Sequence, residues 1–221
     1  MFRNQYDTDP TTFSPQGRLF QVEYAAEAVK QGSCCVGIKS KTHAVLGVLK
    51  RSPDELASYQ EKLFKMDSHL VISISGLTAD ARYLSDHMRM ECLNHRFVYG
   101  ASLQVGRLVS HISDMHQRCT QTYVRRPYGV GLLVAGYDKE LGPVLYTTDP
   151  AGTLVRMKAA TIGSAQEGAT HMVQEQVANE PTAHPTTHYS SLYTRRTLIH
   201  SFLLTQRHTQ VTAVTRSPVV R

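Results

Sequence analysis

The strongest constraint in the chain is the way its apolar periodicity changes along its length. From Arg18 to Lys30 the apolar positions Val22, Ala25, Ala26 and Val29 recur at helical spacing, and Gly32 closes that stretch. Strands follow as a run: 35–39 and 43–49 flank the polar turn Ser40-Lys41-Thr42, then 62–65 and 70–75 form a second pair. Within the last of these, Val71-Ile72-Ser73-Ile74-Ser75 alternates and places Ile72 and Ile74 on one face. Two helices come next, one on Leu77, Ala81, Leu84 and Met88 and one on Val105, Leu108, Val109 and Ile112. The chain then returns to strand at 129–137, 143–148 and 154–159, and a helix on Ala169, Met172, Val173 and Val177 starts at Ser164-Ala165-Gln166-Glu167, a capping-box spacing. Strands in runs, rather than one strand per helix, argue against a doubly wound parallel sheet. Two antiparallel sheets stacked face to face, with helices on both outer sides, would bury every one of these stripes. The expected class is α+β.

Local signals refine this frame. Ser14-Pro15 reads as a helix start, because proline suits a first helical position whose N–H has no partner. Ser102 reads as the cap of the third helix, and Asp80 sits favourably in the first turn of the second.

Composition removes several classes. The 221 residues suit one large domain or two small ones, and the formal charge of +6 raises a nucleic-acid partner for consideration. That charge is unevenly placed: residues 1–178 hold 19 Lys plus Arg against 17 acids, whereas 179–221 hold five arginines and one acid, Glu180. Basic clusters interleaved with aromatics are missing, so nucleic acid is not expected as a partner. No apolar run approaches the roughly 18 residues of a membrane span. No secretory signal is visible, and Cys34, Cys35, Cys92 and Cys119 have neither metal-ligand nor CxxC spacing. They read as structural thiols in a reducing compartment, cytosolic or nuclear. His184-Pro185-Thr186-Thr187-His188 offers two imidazoles, but Pro185 breaks the helix that would align them, so no metal is expected. Ser73, Ser75, Ser110 and Ser164 lie among 11 histidines without a Gly-x-Ser-x-Gly elbow, so independent hydrolase chemistry is not expected either.

Tyr6-Asp7, the segment from Phe13 to Ala25, then Ala28, Gly32 and Ser33 closely resemble the N-terminal signature of proteasome alpha subunits. Gly76-Leu77-Thr78-Ala79-Asp80-Ala81-Arg82, Arg126-Pro127-Tyr128-Gly129-Val130-Gly131-Leu132-Leu133, Asp149-Pro150-Ala151-Gly152 and Ile162-Gly163 extend the resemblance, which reaches about Ala178. It implies the four-layer alpha-beta-beta-alpha sandwich of N-terminal-nucleophile hydrolases. It also implies a non-catalytic structural and gating subunit of the outer alpha ring of the 20S core, in the cytoplasm and nucleus, without cofactors. Partners implied are neighbouring alpha subunits in a seven-membered ring, beta-ring subunits, and regulatory-particle ATPases or other activators.

The same resemblance assigns residues. Related beta subunits use an N-terminal threonine whose free amine helps activate its hydroxyl, with an aspartate and a lysine beside it. Alignment of the first hairpin puts Ser33, Leu49 and Lys62 at those three positions, so no catalytic residue is expected. A gate cluster is implied at Tyr6, Asp7, Pro15 and Tyr24, with Tyr–Asp bonding between neighbours; the alternative is that Pro15 and Tyr24 only anchor the helix start. A pocket for an activator's C-terminal carboxylate is implied at Gly32, Lys62 and Leu77; the alternative for Lys62 is a solvated strand-end lysine. Arg125 and Arg126 read as neighbour contacts or solvated charge rather than a phosphate site. The expected organisation is a gate segment at 1–17, a sandwich domain at 18–178 and a divergent C-terminal part at 179–221. That last part carries one helix around Leu192, Ile199 and Leu203 and one strand at 210–215 of the same domain, and only partly completes the fold.

Overall fold

Residues 130–138 form a strand whose side chains are buried on both faces, and the architecture is organised around it. The computed structural model describes residues 5–52, 54, 56–164, 166–178 and 209–214. In chain order the elements are α1 (Phe20–Gln31), β1 (Cys35–Lys39), β2 (Ala44–Leu49), β3 (Leu63–Asp67), β4 (Leu70–Gly76), α2 (Thr78–Tyr99), α3 (Val105–Gln121), β5 (Val130–Asp138), β6 (Gly142–Thr148), β7 (Leu154–Arg156), β8 (Ala159–Ile162), α4 (Gln166–Ala178) and β9 (Thr209–Val214). They make one sheet in the order β8-β1-β2-β9 and a second in the order β3-β4-β5-β6-β7. Every described pairing is antiparallel.

The layers follow from alternation. Ile72, Ile74, Leu132, Val134 and Val144 pack under Leu84, Met88, Leu108 and Ile112 of α2 and α3. Their strand neighbours Val71, Leu133, Ala135 and Leu145 point the other way, onto Cys35, Leu46, Val48 and Ile162 of the facing sheet. On that sheet's outer side Cys34, Val36 and Ile38 meet Ala169 and Val173 of α4. A strand covered on both faces needs apolar residues at both parities, which is why 130–135 reads as an almost unbroken apolar run. This is the four-layer alpha-beta-beta-alpha sandwich, and all four cysteines are free and buried in it.

Several local expectations are corrected. The first helix begins at Phe20, not at Pro15: Ser14 instead closes a turn, its carbonyl accepting the Gly17 N–H at 2.8 Å and its Oγ the Arg18 N–H at 3.1 Å. Ser102 does not cap α3; Asp138 Oδ1 accepts the Val105 N–H at 2.9 Å from across the fold. The expected strand at 154–159 is two strands, because the chain leaves one sheet after Arg156 and joins the other at Ala159. Met172 lies half outside the core at 51% exposure. The strand expected near 210–215 is β9, hydrogen-bonded to β2. The helix around Leu192 to Leu203 and the His184–His188 pair lie outside the described residues.

Candidate functional site

Short polar turns shape the N-terminal segment before α1 receives it. Asp9 Oδ1 accepts the Thr11 N–H at 2.8 Å and the Thr11 hydroxyl at 2.7 Å, and these bonds hold its carboxyl below the usual carboxylate value. Two side chains on α1 then hold Asp7. Gln21 Nε2 donates to its carbonyl, and the Tyr24 hydroxyl donates to its Oδ2 at 3.2 Å. They lie three residues apart, one helical turn, so both reach the same stretch of chain. Tyr24 is steadied by the Phe20 ring at 6.3 Å, and Arg18 forks onto Glu23 at 2.7 and 2.5 Å beside it. Of the four residues assigned to a gate, Asp7 and Tyr24 therefore meet within one chain. Tyr6 is half-buried and Pro15 exposed.

The three residues assigned to a pocket come to one end of the sandwich. Gly32 ends α1, its N–H bonded to Val29 O at 3.1 Å. A Cβ there would stand 2.2 Å from Ser75 Oγ and 2.5 Å from Gly76 N, so only glycine lets this backbone lie against the end of β4. Leu77 follows directly, 47% exposed, its N–H held by Gly129 O at 2.9 Å. Lys62 is 4% exposed and donates to Ser33 O at 3.1 Å. It is thus not a solvated strand-end lysine. Burial lowers its pKa, the neighbouring Cys35 thiol pulling the other way and Arg51 adding to the fall.

The chemistry available at Ser33 is limited. Its hydroxyl is buried and donates to Leu49 O at 3.1 Å. No base accepts that proton among the described residues, so nothing raises the oxygen's nucleophilicity. Cys35 contacts Ile74 O at 3.2 Å, and burial pushes its thiol up to about 12, which keeps the sulfur protonated.

Two features escaped the sequence. Arg126 is not free charge: it forks onto Asp80 at 2.7 and 2.8 Å, and Asp80 Oδ2 also accepts the Gly129 N–H at 3.0 Å. Burial works against that carboxylate, but the Arg126 fork and the Gly129 amide outweigh it and leave its pKa lowered. The one available signal was that Asp80 and Arg126 each sit in a motif-bearing segment. The second is His116, fully buried and edge-on to Tyr128 at 5.3 Å. Among the described residues no cluster of His, Cys, Asp and Glu could hold a metal ion, and no helix is long and apolar enough to cross a membrane.

Residues 6–28 match the N-terminal signature of A-type proteasome subunits, and residues 29–187 match the proteasome subunit family, past the Ala178 limit read from sequence. The chain is 57% identical over 169 residues to the proteasome alpha type-1 subunit of Dictyostelium discoideum, covering 76% of this chain and 68% of that protein. It is 54% identical over 169 residues to the proteasome alpha type-1 subunit of Drosophila melanogaster, covering 76% of this chain and 60% of the relative. To the proteasome alpha type-6 subunit of Saccharomyces cerevisiae it is 51% identical over 169 residues, covering 76% of this chain and 72% of the relative. With the signature, the body of the domain and the four-layer fold in agreement, the chain belongs to the proteasome subunit family, on its alpha branch.

Proposed function

We propose that this chain is a structural and gating subunit of the outer alpha ring of the 20S proteasome core, controlling substrate entry and docking activators for ubiquitin-dependent degradation. The observation that carries the reading is the alpha-type signature over 6–28 on a segment that Gln21 and Tyr24 tie to α1. Proteasome alpha subunits assemble with other proteasome subunits and are generally non-catalytic. In this chain the loss of catalysis is local: Ser33 stands where the nucleophilic threonine would be, behind 32 residues, and Leu49 cannot carry the charge of an aspartate. Only Lys62 remains of the three, and its ammonium bonds a main-chain carbonyl.

On this reading residues 1–17 are the gate segment, 18–178 the sandwich and 179–221 a divergent C-terminal part that only partly completes it. Six neighbours close a seven-membered ring over a beta ring, in cytoplasm and nucleus. Tyr6, Asp7, Pro15 and Tyr24 hold the gate segment's open position. The Asp7–Tyr24 bond fixes its root, leaving Tyr6 and Pro15 to meet the next protomer of the ring. Gly32, Lys62 and Leu77 receive an activator's terminal carboxylate, with Lys62 turning from Ser33 O toward it.

The test is affinity purification of the tagged full chain from its host, followed by native mass spectrometry and a peptidase assay. Co-migration with a peptidase-active particle of several hundred kilodaltons is expected. Recovery of the chain only as a free monomer would overturn the proposal.

A further inference from the structure

An open cleft of about 340 Å³ is lined by Asp80, Tyr83, Arg125, Arg126 and Tyr128, and none of the roles above uses it. Its charges divide into two groups. Arg126 is committed, because both arms of its fork rest on the buried Asp80 carboxylate. Arg125 is exposed and lines the cleft beside the phenols of Tyr83 and Tyr128, which raise its pKa; among the described residues no carboxylate forms an ion pair with it. The Tyr128 phenol stays neutral: burial, with Cys119 and Tyr83 nearby, pushes it up to about 12. The two rings stack at 6.0 Å and 20°, and Tyr128 is steadied from behind by the fully buried His116 at 5.3 Å. The cleft thus presents an exposed guanidinium without a carboxylate partner among the described residues, beside a two-ring aromatic wall.

We propose that this cleft binds one carboxylate of a partner polypeptide, an acidic side chain or a free chain end, with the adjoining residue's apolar face lying on the Tyr83–Tyr128 pair. Charge decides the ligand class. Arg125 and Arg126 against Asp80 leave one net positive charge, which a monoanion neutralises and a dianionic phosphate exceeds. Shape agrees, since one guanidinium edge matches a planar carboxylate with two parallel N–H···O bonds. The wall supplies apolar and edge-to-face contact that a solvated surface arginine lacks. The cleft adjoins the Gly32–Lys62–Leu77 group through Gly129, whose carbonyl holds the Leu77 N–H and whose N–H bonds Asp80, but none of its five lining residues belongs to that group.

The test is an NMR titration of the labelled full chain at about pH 7, with four probes. Ac-Phe-Glu-NH2 carries a side-chain carboxylate, Ac-Gln-Phe-OH a free terminus, Ac-Phe-Gln-NH2 neither, and inorganic phosphate is the fourth. Saturable shifts of the Tyr83 and Tyr128 resonances are expected from at least one carboxylate peptide, with a dissociation constant on the order of millimolar for so small a probe. The neutral peptide should bind at least about five-fold more weakly, the order expected of one partly exposed charge-assisted fork. Which carboxylate peptide binds more tightly identifies the source. Arg125→Gln should remove that preference, and Arg125→Lys, which keeps the charge without the fork, should restore only part of it. Equal binding of the neutral peptide, tighter binding of phosphate, no saturable shift, or an unaltered Arg125→Gln titration each overturns the proposal.

Discussion

His116 makes the stability of this fold depend on pH in a way that can be isolated. It lies on α3, fully buried, and neither ring nitrogen has a hydrogen-bond partner among the described residues. Burial pushes its pKa from 6.5 down to about 4, with Asp149 and Asp80 pulling weakly back. The folded state therefore takes up the proton less readily than the unfolded chain. The imidazole's contribution is complete above about pH 6.5 and is lost progressively as pH falls toward 4. A displacement from 6.5 to about 4 makes the loss between about pH 7 and about pH 4.5 roughly 2 kcal/mol. Asp80 shifts the other way relative to its own reference: its carboxyl is held below 3.8, so its contribution is present above that value and fades only at lower pH. The chosen window thus separates the two groups. Urea unfolding of the wild type and of His116→Phe at both pH values is the assay; phenylalanine keeps the ring against Tyr128 and removes the titration. The wild type should lose about 2 kcal/mol more than the variant on acidification, and the variant should be at least as stable at pH 7, having no orphaned nitrogens. Equal losses in the two proteins would refute the assignment of a buried neutral imidazole.

Other outcomes follow from single contacts. Asp80→Ala leaves the Gly129 N–H and the Arg126 guanidinium without their acceptor and should cost about 2 kcal/mol, read as a lower urea midpoint; an unchanged midpoint would show that solvent replaces the clamp. Gly32→Ala drives a Cβ to 2.2 Å from Ser75 Oγ and 2.5 Å from Gly76 N, and should cost about 1–3 kcal/mol because a backbone atom must move. Tyr24→Phe removes the 3.2 Å bond to Asp7, so global stability should fall by less than about 1 kcal/mol while amide protection around Asp7 drops; unaltered protection would mean that Gln21 alone holds the segment. Ser33→Ala should leave the peptidase activity of an assembled core unchanged, since the hydroxyl only donates to Leu49 O. A loss of hydrolysis there would expose a nucleophile.

Much of the site was legible, but its bonding was not. Asp7 and Tyr24, whose bond the structure shows, were singled out by their place in the N-terminal motif, as Gly32 and Leu77 were by theirs, whereas Lys62 came from aligning the first hairpin. What Lys62 does at its position was not legible, because burial depends on how β3, β1 and the α1 end close around it. The Arg126 ion pair was missed for the same reason: its partner Asp80 lies 46 residues away, and nothing local to either residue announces the pair.

The sequence by itself determined the helix or strand character of most stretches and, apart from positions such as Met172, the face each turns to the core. Ile72 and Ile74 fall under the helices while Val71 faces the other sheet, because a two-residue repeat admits no other arrangement once one face is buried. Only the tertiary structure decided which strands share a sheet, so that 154–156 and 159–162, continuous in pattern, part company at Met157 and Lys158. It also decided that Asp138 rather than Ser102 caps α3, and that Asp80 clamps Arg126. Periodicity records a residue's relation to its own helix or strand. A capping carboxylate, an ion pair or a sheet edge is a relation between segments that meet only when the layers stack.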